Sequence, residues 1–467
     1  MTSLWNRIVG AQGRLARLRQ RPLRQGGYAA GIVCLIAASM VSNSGCGGSP
    51  VSAPSSSDAS PSVGAEASSP DAPARSSEPG VAAKTAGEAA PGAAAPLPKF
   101  QPPLSGEELA EGWISLFDGQ SLFGWHAASK ADWQVVDGVI RVTEGEPGLL
   151  CTGVQFANYV LQLDFRFAAG TNSGVFLHSP QKPLDPKSDC YELNIAEPEV
   201  SPFPTGSLVG RAKAEASAAP GEWHHYDISV NGDRVKIDLN GKTVLEYTDE
   251  QPLGRGYIGL QLNKGQVEFR NIKIRPLGLE SLFNGQDLAG WKQYPEMKSK
   301  FTVRDGAIHV EGGKGQLESE HSFGDFVLQM EAITHAPGLN SGLFFRCIPG
   351  EEMQGYESQI HHGVKGADRT QPADCGTGGI FRRKDARLVA ADDGEWFCKT
   401  VIADGPRIAV WVNGVCVTDW QDERAADENP RRGLRTKPGT FMLQGHDPTT
   451  DLSFRQLRAV ELTSRRP

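Results

Sequence analysis

The chain has 467 residues, a formal net charge of −8, and 54 glycines beside 31 prolines. This length allows two or three domains with sizeable cores. The glycine and proline content favours turns and loops over long helices. Outside the N-terminal region the basic residues form no long run, so we expect no nucleic-acid partner.

The first 46 residues are typical of an export signal. An Arg-rich segment precedes an apolar run over residues 28–41, which is too short for a comfortable transmembrane helix. Ser44-Gly45-Cys46 follows and resembles a bacterial lipobox, although Asn43 stands where Leu is usual. We therefore expect an exported, cell-envelope protein on the periplasmic or outer-membrane face, with a lipid on Cys46 as membrane anchor. The alternative is simple export with cleavage nearby.

Residues 47–103 are dominated by Ser, Ala, Pro and Gly and carry very few large apolar side chains. Such a segment buries too little surface to offset its chain entropy. We expect a disordered, flexible tether between the leader and the folded part.

The remainder contains two copies of one unit. The sequence SLFDGQSLFGW at 115–125 returns as SLFNGQDLAGW at 281–291. Later motifs keep the same order in both copies; they are NSGVFLH at 172–178 with NSGLFFR at 340–346, and GEW at 221–223 with GEW at 394–396. A repeat of this length indicates a duplicated domain, with the first copy at 104–277 and the second at 278–463.

Inside each copy the hydrophobic period is two. Apolar residues alternate with polar ones over 161–167 and 326–331, and Asn-Gly pairs at 231–232, 240–241 and 413–414 are hairpin signals. Beyond a short turn around Gly106–Gly112, no amphipathic helix is evident. These patterns predict an all-β protein with two packed antiparallel sheets, a sandwich or jelly roll, in each copy. We expect the recurring tryptophans to pack in the cores, with sugar stacking as the alternative; they are Trp125, Trp223, Trp291 and Trp396.

Polar residues on two strands of the second copy mark a candidate site. Successive strand residues alternate faces, so Glu357, Gln359 and His361 share one side, and Arg346 points away from the apolar side of the preceding strand. If the strands are neighbours, a cation, a carboxylate, an amide and an imidazole converge. The alternative is an ordinary solvated face.

The first copy repeats this pattern with fewer titratable groups. It has His178 where Arg346 stands, and Ala196 where His361 stands. We therefore expect it to be a binding or scaffolding copy.

Several motifs together carry a family resemblance. They are the LFDGQ…GW opening, the NSG strand, the Tyr-Glu strand, the GEW–hairpin segment and VEFRNIKI at 267–274. With these motifs the chain resembles the 3-keto-disaccharide hydrolase family. That family is described as 3-keto-glucoside 1,2-lyases and 3-keto-2-hydroxy-glucal hydratases. The resemblance covers roughly 113–276 and 279–462. It implies two concanavalin-like jelly rolls in tandem, and an oxidised (3-keto) sugar or oligosaccharide as substrate.

The chemistry that the resemblance implies needs specific groups. A ketone at C3 acidifies the C2 proton, so a base can remove it and the C1 substituent leaves by β-elimination. Hydration of the resulting enone runs the same steps in reverse. A base, an acid for the leaving oxygen, and a positive group at the enolate oxygen are required.

We assign these roles to residues of the second copy. Glu357, His361 and His446 are candidates for base and acid, and Arg346 is the candidate enolate stabiliser. The expected sugar-binding residues of both copies are Gln359, Gln444, Glu192, Asn194, His178 and Gln261. No cofactor is certain, and a divalent cation held by Glu357 and a histidine is an alternative electrophile.

Two other functions compete with this enzyme. One is a non-catalytic, envelope-tethered pair of carbohydrate-binding modules, which a polar sandwich face also suits. The other is a retaining glycosidase, which is disfavoured because no strand face carries a closely spaced pair of carboxylates. The cysteines form no C-x-x-C spacing, so a structural zinc site built on them is not expected.

Overall fold

The structure is a computed structural model that describes residues 97–462. The expected leader, the lipidation at Cys46 and most of the expected tether lie outside the described residues. Within that range, no helix is long and apolar enough to cross a membrane.

A short helix, α1 (Gly106–Glu111), precedes the first sheet, where the sequence suggested only a turn. Ser105 caps it, because its hydroxyl accepts from the Glu108 amide while the Glu108 carboxylate accepts from the Ser105 amide. Gly112 ends the helix at φ 92°, a left-handed conformation that favours glycine.

The first copy is a sandwich of thirteen antiparallel strands. The first large sheet has the order β11-β10-β9-β6-β13-β4-β3, with β1 beside β13, and the first small sheet has the order β2-β5-β12-β7-β8. The strands are β1 (Ile114–Ser115), β2 (Trp125–Ala127), β3 (Gln134–Val136), β4 (Val139–Val142), β5 (Gly148–Thr152), β6 (Tyr159–Phe167), β7 (Asn172–Ser179), β8 (Tyr191–Ala196), β9 (His224–Asn231), β10 (Arg234–Leu239), β11 (Lys242–Thr248), β12 (Tyr257–Lys264) and β13 (Val267–Pro276).

The second copy repeats this topology and adds one hairpin. Its strands are β14 (Glu280–Ser281), β15 (Trp291–Gln293), β16 (Lys300–Arg304), β17 (Ala307–Glu311), β18 (Gly315–Phe323), β19 (Phe326–Thr334), β20 (Ser341–Cys347), β21 (Tyr356–Ile360), β22 (Val364–Lys365), β23 (Asp368–Pro372), β24 (Phe397–Asp404), β25 (Arg407–Val412), β26 (Val415–Gln421), β27 (Gly439–Gly445) and β28 (Asp451–Glu461). The second large sheet runs β16-β17-β28-β19-β24-β25-β26 with β14 beside β28, and the second small sheet runs β15-β18-β27-β20-β21. The hairpin β22–β23 forms a separate sheet. The predicted tandem all-β jelly-roll fold is confirmed.

Alternating apolar side chains fill the space between the two sheets of each copy. On β6 the residues Leu161, Leu163 and Phe165 are buried, as the period of two predicts. Trp125 and Trp291 are also buried, and their indole N–H groups donate to the carbonyls of Leu116 and Leu282. The other two recurring tryptophans are partly exposed and stack under arginines instead: Arg270 lies 3.9 Å from the Trp223 ring, and Arg455 lies 3.9 Å from the Trp396 ring.

The two copies pack directly on each other. Ala409 and Trp411, on the outer face of the second large sheet, belong to the same apolar cluster as Leu116 and Phe156 of the first copy. The Trp411 indole donates to the carbonyl of Ser115 over 2.9 Å. The apolar contact therefore fixes the orientation of one sandwich relative to the other.

Candidate active site

Polar side chains cover the outer face of the second small sheet. Directly paired residues share a face, and the strand register places two rows of four residues there. The first row consists of Gln316, Gln444, Gly342 and Gln359. The second row consists of Glu318, Met442, Phe344 and Glu357. We call the charged and amide members of these rows the polar face: Gln316, Glu318, Glu357, Gln359 and Gln444. All five are buried, because the loops of the second copy cover them.

Glu357 is the central carboxylate of the polar face, and its side chain is 5% exposed. The Arg431 guanidinium, from the loop 422–438, donates to Glu357 Oε2 over 3.0 Å. Arg431 also lies 4.9 Å above the Phe344 ring, which fixes the plane of the guanidinium. Burial raises the pKa of Glu357, while Arg431 and His446 oppose that rise. The result is a buried carboxylate paired with one cation, at the wall of a cleft of about 120 Å³.

Gly342 provides the room for the Glu357 side chain. A Cβ at this position would lie 2.9 Å from both Cγ and Oε1 of Glu357, closer than real contacts allow. The glycine of the Asn-Ser-Gly motif therefore leaves open the space that the Glu357 side chain occupies.

Several amide atoms beside Glu357 are buried and have no hydrogen-bond partner among the described residues. They are Gln316 Nε2, Asn340 Oδ1, Gln359 Oε1 and Gln444 Oε1. Their other amide atoms are held: Gln359 Nε2 donates to Asp374 Oδ2 over 3.1 Å, and Gln316 Oε1 accepts from the Met353 amide over 2.8 Å. Because buried polar groups are nearly always bonded, such a cluster indicates a site for ligand hydroxyls or water.

The two predicted histidines lie at the ends of their strands. His361 is partly exposed, and its Nδ1 lies 3.2 Å from the Leu339 carbonyl, which favours the tautomer with the proton on Nδ1. His446 is exposed and pairs through Nδ1 with Asp447 over 2.8 Å. His446 follows the end of β27, the strand that carries Gln444 of the polar face, and its role as an acid or base stays a prediction.

Glu318 is a second buried carboxylate on the polar face, next to Met442. The Thr440 hydroxyl donates to its Oε1 over 2.6 Å, the Gly350 amide donates to both of its oxygens, and the Tyr294 hydroxyl bonds its Oε2. Three donors therefore hold Glu318 in place through four hydrogen bonds, which makes it a structural carboxylate that orders the loop after β20.

Arg346 does not reach the polar face, contrary to prediction. It sits at a β-bulge with φ 48°, which breaks the alternation of faces. Its guanidinium is fully buried and donates to the carbonyls of Gly324 and Gly405 and, over 2.7 Å, to Asp325. Arg346 is therefore a structural residue and not the enolate stabiliser.

His178 is displaced in the same way in the first copy. It has φ 50°, its Nε2 bonds the Ala157 carbonyl, and its ring lies between those of Tyr159 and Tyr191. The prediction that it binds sugar is therefore wrong for the same geometric reason.

The other predicted residues of the first copy do share one outer face. Gln261 pairs with Gly174, which pairs with Asn194, and Glu192 lies in the next row beside Phe176. Gln261 donates to Glu192 over 3.2 Å, and burial raises the pKa of Glu192 to about 7. The neighbouring row positions hold Leu149 and Cys151, where the second copy has Gln316 and Glu318. This face is less polar and has one titratable acid.

Sequence reasoning missed Arg431, Asp374 and Gln316. Arg431 and Asp374 lie on irregular loops, where no periodicity reveals which residues meet. Gln316 alternates with Leu317 on β18, so the period of two could have placed it on this face. Among residues 97–462, the grouped metal-ligand atoms belong to His309, His335 and Asp451 and lie away from the polar face.

The chain is similar to proteins that are known from other organisms. A family model described as a 3-keto-alpha-glucoside-1,2-lyase-like domain matches residues 112–275 and 278–459. A 3-keto-disaccharide hydrolase of Bacteroides thetaiotaomicron is 24% identical over 246 residues, which are 39% of this chain and 83% of that protein.

Solved structures of two candidate glycosyl hydrolases from Parabacteroides distasonis are also similar. One is 23% identical and covers 38% of this chain and 98% of its own, with a TM-score of 0.34. The other is 28% identical and covers 35% of this chain and 99% of its own, with a TM-score of 0.31. Because the family model matches each copy separately and most of the described chain, this protein belongs to the 3-keto-alpha-glucoside-1,2-lyase-like family, a family of carbohydrate-active, hydrolase-like proteins.

Proposed function

We propose that the second copy cleaves 3-keto-glycosides by abstraction of the C2 proton and β-elimination, and then hydrates the product. The observation that carries this proposal is the pairing of Glu357 with Arg431 beside the cluster of unpartnered amide atoms. A buried carboxylate with a raised pKa and one cationic partner is typical of a catalytic acid or base.

The proposed reaction has two balanced steps. Glu357 takes the C2 proton, and the electron pair forms an enolate with the C3 oxygen. The enolate collapses to a C1=C2 double bond and a C3 ketone as the C1–O bond breaks, and an acid protonates the leaving oxygen. Water then adds at C1 and a proton returns to C2, so the net reaction is hydrolysis of the glycosidic bond.

Arg431 replaces Arg346 as the proposed positive group at the enolate oxygen. It is the cation nearest to Glu357, with an N–O distance of 3.0 Å, and it lines the same cleft. Such a charge acts strongly in a site from which loops exclude water. His446 and His361 are the candidate acids, because in each ring the bond at Nδ1 leaves Nε2 for proton transfer.

The unpartnered amide atoms are the proposed sugar-binding groups. Sugar hydroxyls both donate and accept, so they can satisfy Gln359 Oε1, Gln444 Oε1 and Gln316 Nε2 together. In the first copy Gln261 Oε1 and Asn172 Oδ1 are unpartnered in the same way among the described residues. This favours sugar binding without turnover as the role of that copy.

The decisive experiment compares a 3-keto-disaccharide with its parent disaccharide. We expect the enone intermediate and the released monosaccharide from the keto sugar alone. Glu357→Gln lowers kcat by about 10²–10⁴-fold, the contribution of a positioned general base. Glu192→Gln, at the same strand position of the first copy, is the matched control and leaves kcat unchanged.

Other outcomes separate the competing functions. Binding of both sugars without turnover supports a pair of carbohydrate-binding modules. Loss of activity in Glu192→Gln, with full activity in Glu357→Gln, places the chemistry in the first copy and overturns the assignment.

We also propose export and anchoring through Cys46, on the sequence pattern alone. Cys46→Ser in the full chain should abolish incorporation of labelled fatty acid and release the protein from the membrane fraction. Equal labelling of the parent and the variant contradicts the proposal.

A further inference from the structure

A second cluster of titratable side chains lies on the opposite sheet of the second copy. On the outer face of the second large sheet, β17 carries His309 and Glu311, and β28 carries Asp451 and Ser453. The His335 amide donates to the Asp451 carbonyl, so this histidine extends the row from the end of β19. Three adjacent strands therefore present these side chains on one face.

The distances between the side chains are those of metal ligands. His309, His335 and Asp451 each offer a ligand atom, and these atoms lie within 4.8 Å of one another. His309 Nε2 lies 3.7 Å from Asp451 Oδ1 and 3.5 Å from Glu311 Oε2. Two atoms bound tetrahedrally at 2.0–2.2 Å are about 3.4 Å apart, so only small side-chain movements are needed.

The Ser453 hydroxyl orients both imidazole rings. It lies 3.1 Å from His309 Nδ1 and 2.9 Å from His335 Nε2. A ligating histidine characteristically bonds a second group through its other nitrogen, which fixes its tautomer and orientation. The bonds to Ser453 leave His309 Nε2 and His335 Nδ1 for an ion.

The nearby cation is weakly held. Arg304 donates to Glu311 Oε2 over 3.0 Å, but both side chains are largely exposed, so water screens this pair. Glu311 can therefore leave Arg304 and complete the ligand set, or a water molecule can take that position.

The first copy shows what the same strand positions look like without such a cluster. Strand register places Arg141 where His309 stands and Glu268 where Ser453 stands. Glu268 forms ion pairs with Arg141 and Arg166, each over 2.6 Å. Two guanidinium groups repel a cation, so the metal-ligand arrangement belongs to the second copy.

We propose that His309, His335 and Asp451 bind a divalent transition-metal ion of the zinc class, with Ser453 as the orienting residue. Two imidazoles and a carboxylate suit zinc, nickel or copper better than calcium or magnesium. The ion cross-links β17, β28 and the end of β19, far from the polar face and independently of the glycosidic chemistry.

The test uses the untagged full chain after treatment with a chelator. We expect one equivalent of Zn²⁺ to bind in a calorimetric titration, and Co²⁺ to give a visible d–d spectrum. His335→Ala and Asp451→Asn each weaken Zn²⁺ binding more than about 100-fold, while Ser453→Ala weakens it about 10–100-fold. Zn²⁺ also raises the melting temperature of the parent, but not that of His335→Ala.

His225→Ala is the matched control, because His225 also contacts a carboxylate, Asp164 at 2.8 Å, but lies in the first copy outside the cluster. It should keep full Zn²⁺ affinity. The proposal is overturned if the chain binds no Zn²⁺, or if binding survives His335→Ala and Asp451→Asn. Loss of binding only in His361→Ala would place the ion at the polar face and would also overturn it.

Discussion

The two copies place a glutamate at the same point of the same strand, yet they give it different surroundings. Glu192 has a neutral partner, Gln261, and burial raises its pKa to about 7. Glu357 has a cationic partner, Arg431, which opposes the effect of burial on its pKa. The sheet thus determines where the carboxylate lies, and a loop determines whether a cation faces it.

The length of one loop explains much of this difference. The connection that carries Arg431 spans residues 422–438, whereas the corresponding connection in the first copy spans 249–256. The longer loop brings Arg431 over Phe344 and within 3.0 Å of Glu357. The two copies of the duplicated fold therefore differ in loop length, while their strand order is the same.

The variant Arg431→Met tests the difference between the two glutamates most directly, because it gives Glu357 a neutral neighbour like that of Glu192. We expect the pKa of Glu357 to rise further, because the opposite charge that opposes the effect of burial is removed. The protonated acid cannot take the C2 proton, so the acid limb of the kcat/KM profile moves to higher pH. Loss of the positive group also lowers kcat by about 10²–10³-fold.

Arg432→Met is the control for that variant. Arg432 is the next residue along the chain, is exposed, and pairs with Asp427 instead. It should leave the pH profile unchanged. An unshifted acid limb in Arg431→Met would contradict the role assigned to this cation.

A second prediction concerns the cores beneath the two faces. In the second copy the buried Lys399 ammonium donates to the carbonyls of Ser358 and Gln359; in the first, the Tyr226 hydroxyl donates to the equivalent Asn194 carbonyl over 2.9 Å. Burial lowers the pKa of Lys399 to about 7. One core therefore carries a titratable cation where the other carries a neutral hydroxyl.

This difference predicts how stability depends on pH. Between pH 7 and 9 an unfolded lysine, with a pKa near 10.4, binds a proton that the folded one has lost. Stability therefore rises with pH, by up to about 1.4 kcal/mol per unit from this group. Lys399→Met should remove that contribution in urea unfolding at pH 7, 8 and 9, whereas Tyr226→Phe should keep it. Equal slopes for the parent and Lys399→Met would refute the assignment.

Much of the fold and part of the site could be predicted from sequence, because a period of two fixes which strand residues share a face. That rule correctly grouped Glu357 with Gln359. It failed at Arg346 and His178, since a bulge with positive φ reverses the facing of a side chain and nothing in the local residue pattern reveals it. Loop residues such as Arg431 follow no period, so only the folded chain shows which strand they meet.

The smallest expected effects come from the glycine of the Asn-Ser-Gly motif, which has a different neighbour in each copy. A Cβ at Gly342 would lie 2.9 Å from the Glu357 carboxylate, a flexible group that can move, whereas one at Gly174 would lie 2.8 Å from the backbone carbonyl of Leu193. Gly342→Ala should keep the melting temperature but lower kcat/KM by less than about 100-fold, because the base is displaced. Gly174→Ala should cost about 1–3 kcal/mol of stability with kcat unchanged, because the strand itself must shift. The opposite pattern in melting curves and initial rates would mean that the first copy, and not the second, carries the reacting carboxylate.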